Sequence, residues 1–322
     1  MKASARAHTN IALVKYWGKK DPQLIIPQTD SLSLTLDKFF TDTTVEFIPS
    51  LKHDNLVIDG HTVAPQKMVK VTAVMNQVRS LSHQHYFAKV ISQNNVPMAA
   101  GLASSASAFA ALALAASTAA GLHLSPHDLS RLARRGSGSA TRSIFGGLVE
   151  WHAGVDDASS YAEPIMEQVD FGIEMIAILI DTKQKKVSSR GGMQLSVTTS
   201  PFYPAWRKVV AADMQAMKVA ISKRDINQMG HIAEENAMRM HALTMSADPA
   251  YTYLEGATIK AINLIKGLRE QGINCYYTMD AGPNVKVIYD HQDRQRIIDK
   301  LAPVFGKDHL IIAQPGPGAH LI

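Results

Sequence analysis

Residues 97–107, PMAAGLASSAS, sit where a strand hands over to a helix. The run before them, YFAKVI at 86–91, is strand-like, and the Ala-rich segment 104–120 predicts a helix about 25 Å long. Gly101 and its small neighbours let backbone approach a ligand without side-chain obstruction. Ser104, Ser105 and Ser107 then open the helix, whose first N–H groups lack intrahelical acceptors. Phosphate is the natural occupant of such an end, and a serine-capped helix packed on a sheet is the plain alternative. The stretch is neither a Walker loop nor GxGxxG.

With 322 residues, 46% apolar and 19% charged, the chain has material for two folded domains and little reason to be disordered. A boundary before the strand-like IEMIAILID gives domains at 1–172 and 173–322. The net charge of +5 is carried by scattered short groups such as Arg131, Arg134 and Arg135, which suits small phosphorylated anions better than nucleic acid. A single cysteine, Cys275, excludes a disulfide framework and a cysteine metal cluster and fits a reducing interior. No apolar run approaches the roughly 20 residues of a membrane span, and MKASARAHTN lacks a signal peptide's apolar core, so the expectation is a cytoplasmic protein without a membrane partner.

Ahead of the central helix, SLSLTLD at 31–37 alternates cleanly and TDTTVEFI follows after a short break, so antiparallel strands are expected, with a helix over 66–82. Behind it, Ser125, Pro126 and Asp128 form a helix start, GSGSATRSIFGG leads into the strand-like LVEWHAG, and the acidic residues 154–170 read as an irregular surface excursion. The second half predicts strands at IEMIAILID, INCYYTMD, NVKVIYD and HLIIA. Its helices are expected near 204–222, 226–241, 256–270 and 292–304. The fold class is α+β.

Several residues stand in positions suited to chemistry. Asp280 ends a strand before a Gly-Pro turn, which either aims it into a cleft or merely caps the turn. Arg142, in SATRSIFGG, can grip a carboxylate with two parallel hydrogen bonds, or sit on the surface. Lys15, Tyr16 and Lys19 crowd cations and a phenol into KYWGKKD, with Trp17 as a candidate core anchor. His231, Glu234 and Glu235 lack the HExxH order and read as a helix surface rather than a metal site.

Four segments, HTNIALVKYWGK, PMAAGLASSAS, RRGSGSATRSIFGG and MDAGPNVKV, occur in an order that resembles the GHMP kinase superfamily, and within it the mevalonate diphosphate decarboxylases. The resemblance implies a two-domain fold: an N-terminal split βαβ nucleotide-binding domain, a C-terminal ferredoxin-like domain, and an active site in the cleft between them. It implies ATP-dependent decarboxylation of mevalonate 5-diphosphate through phosphorylation of the 3-hydroxyl. Asp280 would face that hydroxyl, Lys15 would lie beside Asp280, and Arg142 would hold the carboxylate that is lost. Tyr16, Lys19, Ser137, Ser139, Ser189 and Arg190 would line the substrate pocket. Asn94, Ala100, Gly101, Leu102, Ala103, Ser104, Ser105, Ser107 and Lys185 would serve ATP, with Mg²⁺ held mostly by phosphate oxygens and water rather than by protein ligands. A homodimer is implied as well. Met98 and Thr141 depart from the family pattern, where threonine and cysteine are usual. A mevalonate 3-kinase, a phosphomevalonate decarboxylase and a non-catalytic metabolite-binding protein on the same fold are the rival readings.

Overall fold

A computed structural model of the chain describes residues 1–95, 104–180 and 187–322. Met98, Ala100, Gly101, Leu102, Ala103 and Lys185 therefore lie outside the described residues. In chain order the first half contains β1 (Lys2–Val14), β2 (Lys19–Asp21), β3 (Ile26–Pro27), β4 (Ser31–Ile48), β5 (Asn55–Ile58), β6 (His61–Thr62), α1 (Val69–Ser82), β7 (Phe87–Asn95), α2 (Ser104–Ala119), α3 (Pro126–Arg134), β8 (Leu148–Trp151) and β9 (Ala162–Met166). The second half adds β10 (Ile173–Ile178), α4 (Ser189–Thr199), α5 (Tyr203–Ser222), α6 (Ile226–Met245), α7 (Gly256–Glu270), β11 (Cys275–Met279), β12 (Val285–Asp290), α8 (Arg294–Phe305), β13 (Leu310–Ala313) and β14 (His320–Leu321).

The first sheet runs β14-β1-β4-β7-β5-β6, with β8 and β9 continuing from the opening of β4. Within it, β5, α1 and β7 form a βαβ unit whose parallel strands are immediate neighbours. The expected break after SLSLTLD is absent. One strand spans 31–48, because a register shift opposite His8 and Asn10 of β1 resets the inward phase without ending the pairing. The residues 154–170 are not wholly irregular, since β9 pairs with β8 there. Several short elements escaped sequence reading, namely β2, β3, β5 and β6, together with α4 and with β14, which returns to Ala5 and Arg6 of β1.

The second sheet has the order β11-β12-β10-β13, antiparallel throughout, and with its crossover helices this is the ferredoxin-like arrangement. The helix expected at 292–304 begins as a 3-10 turn, His291–Asp293, before α8. The two halves share an apolar interior. Leu13, Trp17, Leu34 and Phe39 from the first pack in one buried cluster with Met175, Trp206, Val210, Met214 and Met240 from the second. No described helix is long and apolar enough to cross a membrane.

Candidate active site

Where β1 ends, the chain turns sharply through Lys15, Tyr16, Trp17 and Gly18. Gly18 is required there: its φ is +120°, and a Cβ would stand 1.8 Å from the Tyr203 hydroxyl. That hydroxyl donates to Trp17 O at 2.8 Å and so bolts the turn to α5. A second bolt comes from α6, where Asn236 Oδ1 accepts from the Lys15 backbone N–H at 2.8 Å.

With the backbone fixed on both sides, the buried Lys15 side chain crosses to the second domain. Its Nζ donates to Asp280 Oδ1 at 2.9 Å and to Ala12 O at 2.8 Å. Asp280 follows β11, and its other oxygen lies 3.3 Å from Lys286 Nζ on β12. Burial pushes the Asp280 carboxyl up, but Lys15 and Lys286 together outweigh it and hold the group well below the usual carboxylate range. Burial pulls Lys15 down to about 8, against the opposing pull of Asp280. Next to them the fully buried His241 of α6 has no hydrogen-bond partner for either ring nitrogen among the described residues. Burial, then the neighbouring Lys15, lowers it to about 3, so it stays neutral.

Arg142 lies in a 3-10 segment, Gly138–Ile144, and is buried. Its Nη1 donates to Ser31 Oγ at 2.6 Å and its Nε to Asn10 Oδ1 at 3.3 Å, while Asn10 donates in turn to Ser139 O and Ser143 Oγ. The polar side of SLSLTL thus faces inward, and Ser31 joins this network. Burial lowers Arg142 to about 10, still charged at neutral pH. Two of these partners, Asn10 and Ser31, were not singled out from the sequence.

Tyr16 packs edge-on to Trp151 at 4.8 Å between ring centroids, over Gly138, and its buried hydroxyl has no partner among the described residues. Burial raises the phenol above its ordinary value, so it remains a donor. Beyond it stands a group of cations. Burial, Arg190 and Lys70 together depress Lys19 to about 8, and burial and Arg190 depress Lys70. Lys70, on α1, is a further residue that sequence reading passed over. Ser189 and Arg190 occupy the first turn of α4, capped by Ser188 through Gly191 N–H at 3.1 Å, where unpaired amides and the helix dipole favour an anion.

Ser105 bonds to Ser137 and Ser137 to Ser139, each at 3.2 Å, linking the start of α2 to the 3-10 segment. Ser104 and Ser105 are exposed at that helix end, whereas Ser107 is fully buried and bonded to Thr41 at 2.8 Å. Beside α2 a cavity of about 90 Å³ is walled by Leu56, Val71, Val90, Phe109 and Leu112, with Ser92 and Asn94 at its polar edge. A flat aromatic base suits such a slot, and Asn94 is held there by Asp59 and Thr41. Glu234, expected on a helix surface, is instead buried and is tied to Arg269 at 2.7 and 2.8 Å.

Comparison with known proteins agrees with this layout. Residues 7–162 match the family model of the diphosphomevalonate decarboxylase-like N-terminal domain. Residues 175–314 match that of the mevalonate 5-diphosphate decarboxylase C-terminal domain. A diphosphomevalonate decarboxylase of Ganoderma lucidum is 34% identical over 94% of this chain and 82% of its own length. The crystal structure of mevalonate diphosphate decarboxylase from Staphylococcus aureus superposes with a TM-score of 0.96 at 45% identity, covering 100% of this chain and 98% of the other. A complex of MDDEF with MVAPP, AMPPCP and magnesium gives 0.95 at 46% identity, covering 100% and 99%.

Proposed function

The chain belongs to the diphosphomevalonate decarboxylase family, and on that premise we propose that its cleft binds mevalonate 5-diphosphate and ATP and yields isopentenyl diphosphate, carbon dioxide, ADP and phosphate. The observation that carries the reading is the Lys15–Asp280 ion pair, which joins the first domain's cation turn to the second domain's acid.

In this reading Asp280 accepts a hydrogen bond from the 3-hydroxyl and orients its oxygen. Two ammonium groups make it a weak base, and phosphoryl transfer through a loose transition state asks little of a base. ATP with Mg²⁺ supplies the phosphoryl group that turns the tertiary hydroxyl oxygen into a leaving group. The serine-rich start of α2 fits the nucleotide's phosphates and the apolar slot beside it fits the base. Arg142 holds the carboxylate in line with the breaking C–O bond. Its grip must position rather than overstabilise, because a ground-state salt bridge would oppose release of neutral carbon dioxide. Tyr16, Lys19, Lys70, Ser189 and Arg190 hold the diphosphate, and Ser137 and Ser139 close the pocket wall.

Residues 1–172 then form the ATP-binding domain and 173–322 the domain that presents Asp280, with β14 returning to the first sheet. The reading includes a cytoplasmic homodimer. Product analysis with purified protein and mevalonate 5-diphosphate tests it. Carbon dioxide released one for one with ADP is the expected result. ADP alone indicates a 3-kinase, preference for the monophosphate a phosphomevalonate decarboxylase, and no turnover a binding protein.

A further inference from the structure

Lys286 occupies the second position of β12, in VKVIYD, where strand alternation would send a lysine to solvent; instead it is 1% exposed. Its Nζ is loosely held: Asp280 Oδ2 lies at 3.3 Å and Asn284 O accepts at 3.4 Å, whereas Lys15 makes two contacts under 3 Å. Opposite it on β11, Thr278 buries a hydroxyl that has no partner among the described residues. Lys15 and Asp280 already form a neutral pair. A second fully buried cation beside that pair adds positive charge that the fold does not need, and burying an extra charge is costly. Such an expense without structural return marks a functional group.

The arrangement around the carboxylate suggests what that function is. Each oxygen of Asp280 has its own lysine. Both lysine side chains are 2% exposed, while the aspartate's is 23% exposed. The aspartate is therefore the most open member of the triad, while Oδ2 itself is buried and meets Lys286 as an ion pair without a hydrogen bond. The groups facing it are Lys15 from the turn after β1, Lys286 from β12, Arg142 from the 3-10 segment and His241 from α6. His241 is neutral, so Lys286 supplies the only second contact cation among the described residues.

We propose that Lys286 is a positioning residue for the decarboxylation: seated on Oδ2, its ammonium fixes the plane of the Asp280 carboxylate and keeps it ionised toward the substrate hydroxyl. This rests on the reaction assigned to the cleft. Lys286→Met preserves the length and bulk of the side chain and leaves the Lys15–Asp280 pair intact, so the fold should be as stable as before or more so. Turnover should fall by up to about 100-fold, the cost of a misplaced reacting group. The acid limb of kcat/KM should move up by about one to three pH units, since one of two opposing charges on Asp280 is gone. Lys286→Arg should restore the limb.

Carbon-13 NMR titration of the Asp280 carboxyl, done without substrate, should show the same upward shift in Lys286→Met, or in Lys286→Gln if the methionine variant does not fold. Unchanged turnover and an unmoved Asp280 titration would overturn the assignment, as would lost activity that tracks lost thermal stability with no shift of the acid limb. Asp280→Asn separates the two levels. If it is inert while Lys286→Met is normal, only the role of Lys286 fails; if it is fully active, the reading of the cleft itself fails.

Discussion

Lys15 Nζ and Asp280 Oδ1 stand 2.9 Å apart although 265 positions separate them in the chain. The contact spans the two domains, so docking adds to the acid a second counter-charge beside Lys286 of its own domain. Asp280→Asn should lower carbon dioxide release by about 10³-fold, within the range for loss of a group acting on a reacting proton. Binding of a non-hydrolysable ATP analogue, followed by calorimetry, should change little, because the serine-rich start of α2 and the apolar slot proposed for the nucleotide belong to the first domain. Wild-type turnover in this variant would remove Asp280 from the reaction.

Two lysines of the site are depressed to about 8, and both are charged below that pH and neutral above it. The logarithm of kcat/KM for mevalonate 5-diphosphate should therefore fall as pH rises through about 8. In kcat the limb should move higher, since bound diphosphate favours the charged Lys19. Lys19→Arg should leave a shallower limb, because guanidinium does not titrate in this range. A profile flat to pH 10 in the wild type would contradict both assignments.

Arg142→Lys conserves charge and should still fail. The guanidinium reaches Ser31 and Asn10 with two separate N–H groups, and an ammonium on a shorter stem cannot satisfy both and face a carboxylate. A loss of about 10²-fold in kcat is expected, with a smaller change in KM for ATP. Steady-state assays of ADP and carbon dioxide, run in parallel, would also reveal whether phosphoryl transfer survives the loss of decarboxylation.

Gly138→Ala tests the seat of Tyr16. The added Cβ would lie 2.8 Å from Tyr16 Cε1 and 3.0 Å from Trp151 Cη2, too close for either ring to stay. Destabilisation of about 1–3 kcal/mol should appear in denaturant unfolding, typical of overpacking. KM for the diphosphate substrate should rise more than KM for ATP. Equal KM values would mean that Tyr16 does not touch the diphosphate.

Much of this is legible in the sequence, and the exceptions share a cause. α2, α3 and the strands of the second sheet announce themselves through composition and caps, as at Ser125 and Pro126. The break expected inside β4 is a change of inward phase, which the register shift near His8 and Asn10 absorbs without ending the strand. Ser31, Ser33 and Thr35, the polar half of a clean alternation, are fully buried. Ser31 serves Arg142 and Thr35 the Phe145 carbonyl, and a periodicity argument cannot distinguish water from a buried arginine. Asn10, Lys70 and Lys286 were missed for a related reason. Each is an ordinary residue in an ordinary element, and only the meeting of distant elements gives it charged company.

The passage from β13 to β14 carries Gln314 and Pro315 along Asp37 and Leu36 of β4, and Gly316 bonds to Thr35 and Gly147. With the outbound connection from β9 to β10, the chain crosses between the halves twice, and the return crossing is stitched along its length. The two crossings and the apolar interior common to both halves hold the late acid and the early ammonium in one register.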